Sequence, residues 1–212
     1  MRAVIAFWIA HRAELAGLLG QHVLLVVAST AIATAVGVPL GVWLTWRPGW
    51  SRVVLGAASV LQTIPSLALF GFLIPAPWIG GIGVRTALVA LTLYSLLPVL
   101  RNTVTGIAGV DPAIREAGRG MGMTDAQLLW RVELPLAASV IIAGVRVATV
   151  IGIGVATIAA AIGAGGLGVF IFRGVAMVDN RMILAGALPA AALAVGAELA
   201  LGAVERRVRP PR

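Results

Sequence analysis

Long apolar stretches without charge alternate with short polar segments along this chain, and this alternation predicts helices that cross a membrane. An uncharged apolar run of roughly 20 residues is long enough for one crossing. The runs predict five spans joined by polar or proline- and glycine-rich segments, and 1–212 is predicted to be one all-α transmembrane domain. The predicted spans lie at about 21–46, 53–74, 86–107, 136–162 and 182–204.

The first twenty residues differ from the spans, because charged and apolar side chains alternate there at helical spacing. Arg2, Arg12 and Glu14 are interspersed with Phe7, Trp8 and several aliphatic residues. This pattern predicts a short helix that lies at the membrane interface and ends near residue 20. A cleavable signal is disfavoured, since the apolar run is short and charges follow it.

A polar segment at 108–135 separates the third and fourth predicted spans. Asp111 followed by Pro112 is typical of a helix start. The Asp side chain accepts a hydrogen bond from a free N–H, and Pro needs no donor at the first helical position. A short helix is therefore predicted from Asp111. Three glycines are expected to end it: Gly118, Gly120 and Gly122.

A second short helix is predicted in the same segment. Thr124 and Gln127 have the spacing of a capping box, in which each residue bonds to the backbone of the other. This helix is expected to end at Leu134–Pro135, because Pro disfavours helix continuation. A bilayer core cannot solvate such a loop, so the helix–turn–helix segment is predicted to lie in water.

The composition supports an integral membrane protein. The chain is 60% hydrophobic and 11% charged, with a mean hydropathy of +1.02, values far from those of a soluble domain. All 16 basic residues are Arg and the net charge is +8. These Arg residues stand singly at the ends of apolar runs, which favours membrane topology over nucleic-acid binding. The absence of Cys and the presence of only two His predict no metal, redox or catalytic centre.

The distribution of Arg predicts the orientation. If 108–135 is cytoplasmic, ten Arg residues lie inside and five outside, as the positive-inside rule requires. Five spans then place the amino terminus outside and the carboxyl terminus inside.

The segment 108–135 also carries an ordered set of residues that resembles a known motif. Glu116-Ala117-Gly118, then Gly122, then Leu134-Pro135 is similar to the EAA loop of bacterial ABC-importer permeases. That loop has Glu-Ala-Ala, a Gly a few residues later, and a closing hydrophobic–Pro pair. Gly118 stands here where the motif has Ala.

Four further strings resemble the permease subunits of importers for osmoprotectants such as glycine betaine, choline and carnitine. They lie at 61–69, 93–103, 143–149 and 162–168. The resemblance implies a type I importer in the bacterial cytoplasmic membrane. Its other parts would be a second permease, identical or related, two cytoplasmic ATP-binding subunits, and an extracytoplasmic substrate-binding protein. ATP and Mg would be bound by the ATPase and not by this chain.

The resemblance also implies an ATPase-coupling surface. The helix that starts at Asp111 would dock in a groove of the ATPase, with Glu116 at the contact and small residues permitting close approach. The alternative for Glu116 is a weak surface ion pair with Arg119, three residues along the helix. The residues assigned to coupling are Asp111, Pro112, Arg115, Glu116, Ala117, Gly118 and Gly122.

Polar side chains within the spans are candidates for the translocation pathway. Pro65 removes a backbone hydrogen bond from the second span, which is predicted to kink there. The alternative for each polar residue is a hydrogen bond between helices. The candidates are Gln62, Thr63, Pro65, Ser66, Tyr94, Ser95, Thr149 and Thr157.

Arg146 is the charged residue predicted to lie deepest in a span, where an unpaired charge is costly. Pairing with Glu198 on the fifth span is favoured over contact with substrate, because an unpaired Arg would repel a cationic solute.

Three other functions are alternatives for such a chain. A channel or secondary transporter is disfavoured, because no paired in-span acids or inverted repeat is evident. An ABC permease for another small solute stays open. An intramembrane enzyme lacks a plausible catalytic constellation.

Overall fold

A computed structural model describes residues 2–79 and 81–209, which form helices and short connections. A π turn (Leu129–Glu133) precedes α8, and a 3₁₀ turn (Ala160–Ile162) follows it. The α-helices are α1 (Arg2–Ala10), α2 (Arg12–Thr45), α3 (Pro48–Thr63), α4 (Ser66–Leu73), α5 (Val84–Ala108), α6 (Pro112–Gly120), α7 (Asp125–Leu128), α8 (Leu134–Ala159), α9 (Gly168–Met177) and α10 (Asn180–Val208).

Within residues 2–79 and 81–209, four continuous helical stretches are long and apolar enough to cross a membrane, namely α2, α5, the stretch Asp125–Ile162, and α10. The consecutive helices α3 and α4 form a bent pair that makes a fifth candidate span. The prediction of an all-α membrane fold with about five spans is therefore confirmed.

The amino terminus differs from the prediction of one interfacial helix up to residue 20. The helix breaks at His11, and α2 starts at Arg12 and continues without interruption through the first span. The boundary was misplaced because Arg12 and Glu14 were assigned to the interface helix, whereas they form the first turn of a 34-residue helix. At 1.5 Å per residue such a helix is about 51 Å long, so its first turns extend beyond the hydrocarbon core.

Helix α1 is attached to the amino-terminal parts of α9 and α10. The indole Nε1 of Trp8 donates a hydrogen bond of 3.0 Å to the carbonyl of Ala185. Phe7 meets Phe170 edge to face, with ring centroids 5.4 Å apart. The aromatic side chains of the first segment therefore serve packing between helices.

The central helix of the bundle is α5, which packs against α2, α3, α4 and α8. Small residues permit close approach of these helices. A Cβ added to Gly41 on α2 would lie 2.7 Å from the Thr103 Cβ, and one on Gly144 of α8 would lie 2.6 Å from the Asn102 Cβ. Apolar side chains such as Phe70 and Leu91 are fully buried beside this core.

The second predicted span is broken and not merely kinked. The axes of α3 and α4 differ by 102°, and Ile64 between them has an extended backbone (φ −71°, ψ 124°). Pro65 accounts for the break, because a proline ring disfavours the helical conformation of the preceding residue and provides no N–H.

The first helix of the polar segment begins as predicted. The side chain of Asp111 accepts a hydrogen bond of 2.8 Å from the Ala113 N–H, and Pro112 is the first helical residue. Gly118 does not end the helix, which continues to Gly120. Gly122 makes the turn, with φ 83°, a conformation that costs glycine little.

The second helix also starts as predicted but does not end there. Thr124 and Gln127 form both bonds of the capping box, at 2.9 and 3.3 Å. The prediction that Leu134–Pro135 terminates the helix was wrong, since the helical path runs on through the π turn into α8. The wider hydrogen-bonding pattern of the π turn just before Pro135 relieves the need for the bond that proline cannot donate.

Arg146 pairs with Glu198 as expected, with 2.7 Å between Nη1 and Oε1. It has a second partner that the sequence analysis missed, since its Nη2 lies 3.1 Å from Glu205 Oε2. Both acids are on α10, one on each side of Gly202, over which the guanidinium lies. The three charges therefore tie α8 to α10.

The pairing predicts non-additive effects on stability. In a double-mutant cycle of Arg146→Ala and Glu198→Ala, we expect an interaction energy between about 0.5 and 3 kcal/mol, because the residues are in direct contact. Thermal unfolding of the purified chain measures it. Glu198→Ala alone should cost less than Arg146→Ala, because Glu205 still pairs with the Arg. Additive effects would exclude the pair.

Candidate functional site

The outer face of α6 is exposed. Glu116 and Ala117 are both exposed in the middle of this helix. No ion pair within 4.0 Å joins Glu116 to another residue in 2–79 or 81–209, and Arg119 lies 3.7 Å from Asp125 instead. The alternative of a Glu116–Arg119 pair is therefore not formed. The exposed face presents a carboxylate beside a small side chain.

The inner face of α6 holds two of the residues assigned to coupling. Gly118 is buried, and a Cβ there would come within 2.8 Å of Leu128 Cδ1. The Arg115 side chain also turns inward, with its Nε 2.7 Å from Glu133 Oε1. Its Nη2 donates a hydrogen bond to the carbonyl of Ile107. Gly118 thus faces α7, while Arg115 faces the end of α5 and the π turn that leads into α8.

The remaining coupling residues shape the segment. Asp111 and Pro112 start α6, and Gly122 donates its N–H to the Arg119 carbonyl at 2.9 Å in the turn that follows. Their contribution is to set the direction and length of the helix that presents Glu116.

Three of the pathway candidates meet at the break between α3 and α4. Gln62 Nε2 donates 2.8 Å to the carbonyl of Tyr94 on α5. The Tyr94 hydroxyl donates to the carbonyl of Ile64, directly before Pro65. These bonds fasten the broken span to the central helix at the point where the proline interrupts it.

Of the other pathway candidates, Thr63 and Ser66 also flank the break, whereas Thr149 and Thr157 lie in α8. Thr63, Thr149 and Thr157 each donate to a backbone carbonyl three or four residues earlier, at 2.7 to 2.8 Å. Such bonds satisfy a hydroxyl within its own helix. Ser66 is half-buried at the start of α4. Thr149 also lines a largely apolar cavity of about 560 Å³ between α2, α8 and α10.

Ser95 faces a different part of the bundle, together with a residue that the sequence analysis missed. It is fully buried, and its Oγ has no hydrogen-bond partner among the described residues. Thr30 Oγ1 on α2 is likewise buried and unpartnered. Both oxygens lie 3.9 Å from the place where a Cβ on Gly152 would be. No periodic pattern in the sequence connects these residues, which come from α2, α5 and α8.

The glycine-rich string at 162–168 forms the turn between α8 and α9. Its Gly163, Gly165 and Gly166 have φ between 76° and 80°. Gln21 Oε1 on α2 accepts a hydrogen bond of 3.1 Å from the Gly166 N–H, and the buried ring of His22 packs against the same glycine. This turn is therefore held by the amino-terminal half of α2, a contact that the sequence analysis missed.

Two relatives with similar sequences have curated names. The chain is 45% identical to the carnitine transport permease protein OpuCB of Listeria monocytogenes, over 99% of this chain and 95% of that protein. It is 51% identical to the osmoprotectant import permease protein OsmW of Salmonella typhimurium (strain LT2), over 85% of each.

The fold is similar to that of a solved transporter subunit. A chain of the MetNI methionine ABC transporter, in an inward-facing conformation, superposes with a TM-score of 0.85 over 95% of this chain and 99% of that one, at 22% sequence identity. The family described as binding-protein-dependent transport system inner membrane component matches residues 37–210. The chain therefore belongs to this family of multi-pass inner-membrane permease subunits.

Proposed function

We propose that this chain is the transmembrane subunit of an ATP-driven importer for quaternary-ammonium osmoprotectants such as glycine betaine, choline and carnitine. The proposal draws on relatives that are named for carnitine and osmoprotectant transport at 45% and 51% identity. It draws also on the four strings outside the polar segment that resemble osmoprotectant permeases.

The observation that carries the mechanism is the orientation of α6, whose outer face is free while its inner face is bound to the spans. In the proposed complex, two cytoplasmic ATPase subunits, which bind ATP and Mg, each receive one such helix, with Glu116 at the contact. A second permease, identical or related, completes the pathway. Closure of the ATPases on ATP draws the two helices together and opens the pathway outward, and hydrolysis reverses the movement.

The orientation of the chain belongs to the same proposal. The amino terminus is outside and the carboxyl terminus inside, which places α6 in the cytoplasm. The ten-to-five distribution of Arg supports this arrangement under the positive-inside rule.

Tight recognition of the substrate is assigned to a separate extracytoplasmic binding protein. Quaternary ammonium groups are held by aromatic cages. Tyr94 is the one aromatic residue in the four strings that resemble osmoprotectant permeases, and its hydroxyl donates a hydrogen bond to the Ile64 carbonyl at the broken span. The permease therefore supplies a passage with weak contacts, for which Ser95, Thr149 and the residues at the break remain candidates.

Reconstitution tests this function. In proteoliposomes containing the permease, its ATPase and the binding protein, we expect uptake of radiolabelled glycine betaine, choline or carnitine only when ATP is supplied. Methionine serves as the control solute. Uptake by the chain without any ATPase would favour a channel or secondary transporter, and ATP-driven uptake of methionine alone would favour an importer for another solute.

A further inference from the structure

One side chain joins α6 to both helices that flank the polar segment. Arg115 Nη2 donates to the Ile107 carbonyl in the last turn of α5. Its Nε lies 2.7 Å from Glu133 Oε1, in the π turn that leads into α8. A cation suits both sites, because a helix C-terminus carries partial negative charge and a carboxylate a full one.

Glu133 depends on this partner. The residue is buried, and a buried carboxylate is costly unless it is paired. The nearby Arg119 lies 3.7 Å from Asp125. Among residues 2–79 and 81–209, the ion pair of Glu133 is the one with Arg115. Loss of Arg115 would therefore leave a buried, unpaired carboxylate directly before the start of α8.

Apolar packing does not hold α6 in place on the side of the Arg115–Glu133 pair that faces the α2–α3 connection. A cavity of about 470 Å³ lies beside the ion pair, between it and the α2–α3 connection. Its walls include Trp46 and Pro48 on one side and Arg115 and Glu133 on the other. On this side, the position of α6 relative to the two spans is therefore set by polar contacts and not by an apolar core.

The π turn sets the direction of the Glu133 side chain. Leu129–Glu133 is the one π turn in the described chain, and a π turn changes the direction in which the following residues point compared with a regular helix. Such turns are rare and are frequent at functional sites. Glu133 is the last residue of this turn, and its carboxylate lies 2.7 Å from the Arg115 Nε of α6.

We propose that Arg115 is a positioning residue that makes α6 move together with α5 and α8, without itself touching the ATPase. The inference rests on the proposed docking of α6 to the ATPase. When the ATPase displaces α6, the two contacts of Arg115 carry the displacement to both spans. Without them, α6 follows the ATPase while the spans lag, so that ATP is hydrolysed without matching transport.

The test compares transport with hydrolysis in the complete complex. Arg115→Gln, Glu133→Gln and the control Arg131→Gln, which removes an exposed charge from the same π turn, are reconstituted with the ATPase and the binding protein. The first two should keep the ATPase bound and hydrolysing ATP. Their glycine betaine transported per ATP should fall at least about tenfold, as expected from losing contacts worth more than about 1.4 kcal/mol. The control should stay within about twofold of the wild type, as usual for an exposed substitution.

Each outcome of this experiment either supports or overturns the positioning role of Arg115. Loss of ATPase copurification in Arg115→Gln would show direct contact and overturn the positioning role, as would an unchanged ratio of transport to hydrolysis. Should Arg115→Gln fail to fold, Glu133→Gln removes the other half of the same ion pair, and an unchanged ratio in that variant would overturn the proposal. Wild-type uptake that does not need ATP would instead reject the proposed function itself.

Discussion

Glu116→Lys is expected to abolish the ATPase activity that loaded binding protein stimulates. The side chain is exposed on the outer face of α6, so reversal of its charge leaves the fold intact but places a cation at the proposed contact. Like charges in an interface cost several kcal/mol, which corresponds to a loss of more than about tenfold. Hydrolysis in proteoliposomes and copurification of the ATPase measure the effect, and the amount of chain in the membrane should not change.

Asp125→Lys is the matched control for this substitution. Its carboxylate belongs to the same segment, is 86% exposed and has only a 3.7 Å pair with Arg119. The same reversal of charge should change hydrolysis by less than about twofold, because exposed pairs contribute little. Equal losses in both variants would mean that any added cation disturbs the segment, and unchanged hydrolysis in Glu116→Lys would reject its assigned contact.

Gly168→Ala is expected to have the largest effect on stability. A Cβ at this position would lie 1.9 Å from the Thr157 carbonyl oxygen and 2.9 Å from the Ala160 Cβ. Since the first of these atoms is backbone, the end of α8 or the start of α9 must shift. Overpacking of this kind costs about 1–3 kcal/mol or more, so the melting temperature of the purified chain should fall clearly.

Gly154→Ala provides the comparison for this clash. Gly154 lies in α8 and is exposed, with no atom within 4 Å of its added Cβ. Ala is the better helix former by up to about 1 kcal/mol, so this variant should melt at or above the wild-type temperature. Equal melting of the two variants would show that the close approach at Gly168 does not determine stability.

Local chemistry explains which elements could be predicted from the sequence. The start of α6 and the capping box depend on residues within three positions of one another, so Asp111–Pro112 and Thr124–Gln127 indicate them directly. The apolar runs likewise predict the long helices, because a bilayer demands a minimum length.

The effect of a proline on its helix is harder to predict, because it depends on hydrogen bonds from neighbouring parts of the structure. Pro65 breaks its helix completely, whereas Pro135 does not end the helical path at all. At Pro65, the Tyr94 hydroxyl of α5 donates a hydrogen bond to the carbonyl of the preceding Ile64. At Pro135, a π turn just before the proline accommodates it. The sequence shows two prolines in apolar surroundings but not the bonds that compensate for them.

Hydropathy and helix capping act over short distances. The sequence therefore suffices to predict a multi-pass helical membrane protein with a polar helical segment between its third and fourth spans. Tertiary structure alone decided which face of that segment is free. Arg115 reaches Glu133, 18 positions away, only when α6 folds back over the π turn, and no local pattern records that contact. Arg115 therefore belongs to the inner connection with the spans, while Glu116, one residue later on the helix, is left to face outward.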